Sequence, residues 1–237
     1  MDQGLIDLYH RHVAAAFDRQ LRLGALLEQE AGGAAWQYTI SKAKLTFGTN
    51  VEFTALDLGS HADPDNSWLW TWCNPNLNLT ADNWELAHSV QKLGHNTGIA
   101  IFTADRQVSC EQWLGDDVSP VAAHAFAVIL AGELGFDAYY TIPFTHGRSA
   151  TLIRDKRLQA QVPDPAARIV STFSQAISAF PILDHRAAFI AYAEWYGLTV
   201  RQEPIVRVLS GRKELMIAEF DARNRLTKLN ATISPSK

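Results

Sequence analysis

His61-Ala62-Asp63-Pro64-Asp65 places one imidazole and two carboxylates within a single short stretch. Nitrogen and oxygen donors in this mix suit Mn²⁺, Fe²⁺ or Zn²⁺. A metal held by His61, Asp63 and Asp65 would support metal-assisted hydrolysis. The same stretch also reads as a polar hairpin loop, because aspartates make Asx turns. Thr145-His146-Gly147-Arg148 is a second cluster, a turn in which His146 and Arg148 offer donors to an anion. His10 and His12, two apart on a helix, do not converge on one face. Cys73 and Cys110 would need a thiolate beside a base to act as nucleophiles, and free cysteines are more often small buried hydrophobes. His124 and Glu133 lie in an apolar run, where a polar side chain needs a partner or a cavity. Asp116-Asp117 precede a helix start, whose dipole alone favours them. No catalytic residue can be assigned from these patterns.

The most unusual run is Ser67-Trp68-Leu69-Trp70-Thr71-Trp72-Cys73. In a β-strand Trp68, Trp70 and Trp72 would share one face. Each ring carries roughly 200 Å² of mostly apolar surface, so the three together make about 600 Å² that something must cover. Burial inside the fold is the expectation; a wall lining a small-ligand pocket is the alternative.

Phosphate-cradling glycine loops, a GxSxG elbow and an HExxH zinc helix are all absent. The formal net charge of −4 over 237 residues argues against non-specific nucleic-acid binding. Arg154-Asp155-Lys156-Arg157 is the densest basic cluster and reads as a solvated turn. The N-terminus lacks the basic and apolar regions of a secretory signal, and no apolar stretch reaches the roughly 20 residues of a membrane span. The expectations are therefore a soluble cytoplasmic protein with free thiols, no membrane partner, no nucleic-acid partner and no cofactor.

These residues must be positioned by local elements whose periods are legible. Ile6, Tyr9, Val13, Phe17 and Leu21 follow a helical stripe, so a long amphipathic helix spans about 3–31, capped by Asp2 and stopped by Gly32-Gly33. The period then changes to two. Trp36–Ile40, Leu45–Phe47, Val51–Leu58 and the tryptophan run predict a four-stranded antiparallel meander, with a bulge near Ala55–Leu56 and a loop over Gly59–Asn66. A helix follows Thr80 and closes at Gly94; Ile99–Thr103 reads as a strand; an apolar, central helix covers Pro120–Leu134. A hairpin of 136–144 and 149–153, a helix after Pro163, a helix capped by Asp184 and four closing strands to Ile233 complete the chain, the last residues frayed. The fold class is α+β: antiparallel β-meanders packed against helices, with a long N-terminal helix. The chain reads as one compact domain, 1–237, divisible into lobes 1–160 and 163–237.

Four sets of residues carry a resemblance: Tyr9-His10-Arg11-His12 with Phe17-Asp18-Arg19-Gln20; Trp68-Leu69-Trp70-Thr71-Trp72 with Asn74-Pro75; Asp184-His185-Arg186-Ala187-Ala188; and Phe220-Asp221 with Arg225-Leu226. Together they resemble an uncharacterised bacterial domain family of unknown function, with W-L-W-x-W-x-N-P as its signature, over most of the chain. The resemblance implies a bacterial cytosolic protein and transfers no activity. The leading expectation is a binding or interaction protein of immunity-like or regulatory kind, its partner a protein or a small molecule. An enzyme with an unrecognised site, such as a metal-assisted hydrolase, and a small-ligand carrier are the alternatives.

Overall fold

The computed structural model describes residues 1–159 and 162–232. The predicted end of the last strand at Ile233 and the predicted frayed terminus lie outside the described residues. The architecture is α+β with antiparallel sheets. The chain divides into two compact units, Met1–Tyr9 with Arg19–Ala160, and His10–Asp18 with Gln161–Lys237.

Helix α1 runs Gln3–Ala31 and contributes to both units. Asp2 Oδ1 accepts the Leu5 N–H at 2.9 Å, and Gly32, in the left-handed region, ends the helix by donating to Leu27 O.

In the first unit, β1 (Trp36–Thr39), β2 (Lys44–Phe47), β3 (Val51–Ala62) and β4 (Ser67–Trp70) pair consecutively and antiparallel, as the period-two pattern predicts. The strands differ from expectation in three places. β3 continues through the predicted loop to Ala62, because a further strand pairs along it. The tryptophan strand stops at Trp70, and Thr71–Cys73 turn into a 3-10 helix, so Trp72 lies outside the strand. The bulge falls between Asp57 and Gly59, two residues later than its predicted place.

Helix α2 (Ala81–Thr97) is capped by Thr80, whose Oγ1 accepts the Asn83 N–H at 3.2 Å. Gly94 lies inside α2 rather than at its end, which is Gly98. A Cβ at Gly94 would stand 2.9 Å from Phe102 Cβ and from Thr103 Cγ2, so the glycine serves close packing and not termination. The predicted strand 99–103 is a 3-10 turn, Ala100–Thr103, seated on α2.

A short β5 (Val108–Ser109) pairs with β4. Helix α3 (Cys110–Val118), kinked at Gly115, has no counterpart among the elements expected from sequence; it leads through a 3-10 turn to α4 (Ala122–Glu133). Against the sequence expectation, the run 110–133 is long and apolar enough to cross a membrane by length and composition. In this structure 67% of its apolar window is buried inside the protein, as the reading of α4 as a central helix requires.

Strands β6 (Ala138–Phe144) and β7 (Gly147–Arg154) form the predicted hairpin. β7 then pairs with the free edge of β3 from Thr54↔Arg154 to Ala62↔Gly147, which makes the sheet seven-stranded among the described residues. On one face Leu23 of α1 packs with Leu45, Phe47, Phe53, Ala138 and Ile153 in an apolar core.

In the second unit, α5 (Pro165–Ala179) and α6 (His185–Trp195) start at Asp164 and Asp184, whose carboxylates accept the Ala167 and Ala187 N–H groups. β8 (Thr199–Gln202), β9 (Val206–Ser210), β10 (Lys213–Phe220) and β11 (Leu226–Ala231) make an up-and-down antiparallel sheet.

Candidate functional site

The tryptophan run is an interior feature. Trp68 and Trp70 are fully buried, Trp72 half-buried. Trp68 meets Trp70 edge-on at 5.3 Å and packs on Phe126 of α4; Trp70 and Trp72 stack at 4.8 Å with planes 8° apart. Trp70 Nε1 donates to Ile101 O (2.8 Å) and Trp72 Nε1 to Ala104 O (3.0 Å). Two of the three rings thus have no surface to offer a ligand. Gly59 makes the cluster possible: a Cβ there would lie 2.4 Å from Leu69 O and 2.8 Å from the Trp68 ring. Gly59→Ala is expected to cost about 3 kcal/mol by urea denaturation, since backbone must shift to admit the methyl. A loss within about 1 kcal/mol, the scale of a tolerated volume change, would contradict this packing.

Asp63 approaches His61, while Asp65 is drawn to other partners. The His61 ring is buried, with Nε2 2.9 Å from Asn66 Oδ1. Asn66 Nδ2 donates to Ser119 Oγ, so His61 Nε2 is the donor to Oδ1. Asp63 Oδ1 is 3.4 Å from His61 Nδ1. Asp65 accepts Ser67 Oγ (2.6 Å) and Gln107 Nε2 (3.0 Å). Among the described residues no group of three or more His, Cys, Asp and Glu is arranged to hold a metal ion. The stretch is instead the end of β3 and a polar hairpin turn, with Asn66 in the left-handed region. His146 is exposed at the β6–β7 turn, its carbonyl accepting Asp63 N–H (2.9 Å). Arg148 is half-buried opposite His61 in register. Burial first, and then the Arg148 charge, lower the His124 pKa to about 4; His124 Nδ1 sits 3.3 Å from Tyr139 Oη. Burial pushes the Cys110 thiol up to about 12 and raises that of Cys73, so both stay protonated at neutral pH.

A cleft that assembles opposite charges stands apart from all of these candidates. Asp82, Glu85, Leu86 and Ser89 follow i, i+3, i+4, i+7 spacing and present one face of α2. Thr54 and Leu56 of β3 and Arg154 of β7 face them, and Leu134 and Phe136 close the end, around a cavity of about 330 Å³. The register Thr54↔Arg154 puts the arginine at the mouth. Its guanidinium lies over the Phe136 ring (4.3 Å) and donates through Nη2 to Leu134 O (3.1 Å). These two contacts hold one face and one N–H of the planar fork and leave its other donors available. Among the described residues no ion pair joins Arg154 to Asp82 or Glu85, although all three line the same cavity. Asp82, in the first turn of α2, is also favoured by the helix dipole.

The model of a family described as Family of unknown function (DUF6882) matches residues 6–156. The chain belongs to this family. No curated protein and no solved structure matches it. The DUF6882 match contains the tryptophan cluster and every residue lining the cleft, while the runs 184–188 and 220–226 that also carried the resemblance lie beyond it.

Two buried carboxylates of this DUF6882 chain lie outside the cleft. Asp57 of β3 accepts Thr71 Oγ1 at 2.6 Å through Oδ2, while Oδ1 has no hydrogen-bond partner; burial raises its pKa to about 7 against the lowering effect of Thr71. In the second unit Asp18 is fully buried. Its Oδ1 accepts Arg168 Nε (2.9 Å) and Nη2 (2.6 Å), and its Oδ2 accepts Tyr192 Oη (2.7 Å) and Tyr196 Oη. Three further motif residues make hydrogen bonds to the backbone. His10 Nε2 accepts the Leu183 and Asp184 N–H groups, His185 Nδ1 accepts the Leu226 N–H, and Arg225 Nη1 donates to Ile182 O.

Proposed function

We propose that this protein is a small-ligand binding protein and that the α2–sheet cleft takes a dipolar molecule of amino-acid type. The carrying observation is the set of unneutralised opposite charges, Arg154 against Asp82 and Glu85, around one cavity. A carboxylate on the ligand satisfies the free donors of the Arg154 fork. An ammonium group at its other end satisfies the acids of α2. Thr54 and Ser89 add hydroxyls, and Leu56, Leu86 and Phe136 supply the apolar lining usual in such sites. A binding role also suits thiols and an imidazole whose pKa values burial moves away from use at neutral pH.

Isothermal titration with free α-amino acids as probes tests this, each compared with its amide and its N-acetyl derivative. Binding is expected for at least one free amino acid, and blocking either end should weaken it at least tenfold. Arg154→Ala should weaken it by about tenfold to a hundredfold, the usual worth of a charge-assisted hydrogen bond. Failure of every probe, or equal affinity of acid and amide, would overturn the reading.

A further inference from the structure

A second cavity, of about 360 Å³, lies at the C-terminal end of α1, lined by Leu27, Glu28 and Ala31 of α1, Trp36 of β1, Phe47 of β2 and Tyr140 of β6. Its walls are aromatic. The Trp36 and Phe47 rings both pack against Tyr140, at 6.2 Å and 5.4 Å with their planes steeply inclined to it. Trp36 is 38% exposed, unlike the buried tryptophans of β4.

The electrostatics of this end are one-sided. A helix C-terminus carries roughly half a negative charge, normally offset by a basic side chain. The last turn of α1 has none. It has Glu28 and Glu30 instead. Glu30 is paired with Arg157 at 2.7 Å. Glu28 has no ion-pair partner among the described residues, and it lines the cavity. A helix C-terminus, a carboxylate without an ion-pair partner and an aromatic lining with one exposed indole therefore coincide.

We propose that this cavity binds a small quaternary ammonium compound. The aromatic quadrupoles attract a cation that carries its charge on a methylated, weakly hydrated surface, and Glu28 neutralises it. A hard metal cation requires a cage of oxygen ligands, whereas Glu28 is the sole carboxylate lining this cavity among the described residues. The site is separate from the Arg154 cleft and does not depend on it.

Titration with choline, followed by calorimetry at low salt and again at high salt, is the test, with 3,3-dimethyl-1-butanol as the uncharged isostere. Choline is expected to bind, the isostere at least tenfold more weakly. Glu28→Gln and Trp36→Ala should each lower choline affinity about tenfold, and both are exposed positions whose variants can be checked for an unchanged circular dichroism spectrum. Arg154→Ala should leave choline affinity unchanged. Absence of choline binding, equal binding of choline and the isostere, or indifference to Glu28→Gln would each overturn the proposal.

Discussion

Asp18→Ala is expected to destabilise the second unit by about 3–5 kcal/mol, the cost of breaking a buried ion pair by removing one partner. Asp18 is fully buried and accepts from two guanidinium nitrogens and two phenol hydroxyls. Its removal takes the shared carboxylate acceptor from all of them at once. Arg168 is 30% exposed and can recover water, so part of its loss is returned. Tyr192 is fully buried and cannot; its hydroxyl, already held protonated by burial and by the Asp18 charge, would lose its acceptor. Asp18→Asn retains the shape and one acceptor oxygen and should cost less. The measurement is urea denaturation with near-ultraviolet circular dichroism, which reports the Tyr192–Trp195 stack at 6.1 Å. Hydrogen exchange should show lost protection concentrated in 165–196. An Asp18→Ala protein of wild-type stability would show the network to be incidental.

Asp57→Asn should stabilise the protein at pH 8 and leave it nearly unchanged at pH 4. The Asp57 carboxyl has a folded pKa of about 7 against an ordinary value of 3.8. The folded state therefore holds a proton that the unfolded chain releases across this window. Stability from this group is fully present below about pH 4 and is lost as pH rises toward and through about 7. A gap of about 3 in pKa corresponds to about 4 kcal/mol. Asparagine keeps the Thr71 hydrogen bond and cannot ionise, so the melting temperature of the variant should rise above that of the wild type as pH climbs from 5 to 8. Other groups, among them Asp155 and Asp221 with lowered pKa values, act in the opposite direction, and the Asp57→Asn variant carries them equally. Parallel melting curves for the two proteins across pH would reject the assignment.

The placement of Asp57 shows where sequence reading stops. Its position in a strand is legible from the alternation of Val51, Phe53 and Ala55. Its burial depends on β3 exchanging β2 for β4 along one edge while β7 covers the other. The arrangement of His61, Asp63 and Asp65 is beyond local pattern for a related reason. Proximity along the chain does not aim side chains together, and Asn66, Ser67 and Gln107 take the donors and acceptors that a metal would have needed. Gly94 reads as a stop because a glycine after an apolar stripe resembles a C-cap. What distinguishes it is a close approach by a turn that the sequence presents as a strand. Arg154 reads as part of a solvated turn, and nothing in its neighbours indicates Phe136 beneath it or the acids of α2 across the cleft. A faint signal exists in the spacing of Asp82, Glu85 and Ser89, which marks a polar face without saying what it faces. Asp18 carries no such signal, because Arg19, Gln20 and Arg22 beside it make it look like part of a polar face.

Local elements follow from the chain alone. Caps at Asp2, Thr80 and Asp184, the Gly32 stop of α1 and the change of period after Gly33 all act within a few residues, and such interactions are the same wherever the segment lies. The burial of Trp68 and Trp70 is legible in the same way, since few protein surfaces leave about 600 Å² of indole in water. Everything else depends on long-range pairing. β7 joins β3 across about ninety residues of chain, and that pairing alone brings Arg154 opposite Thr54 and creates the cleft. Tertiary contacts of this kind settle which charges are neutralised, Glu30 but not Glu28, Asp18 but not Arg154. Ion pairing and desolvation depend on distances between residues remote in sequence, and no local pattern records them.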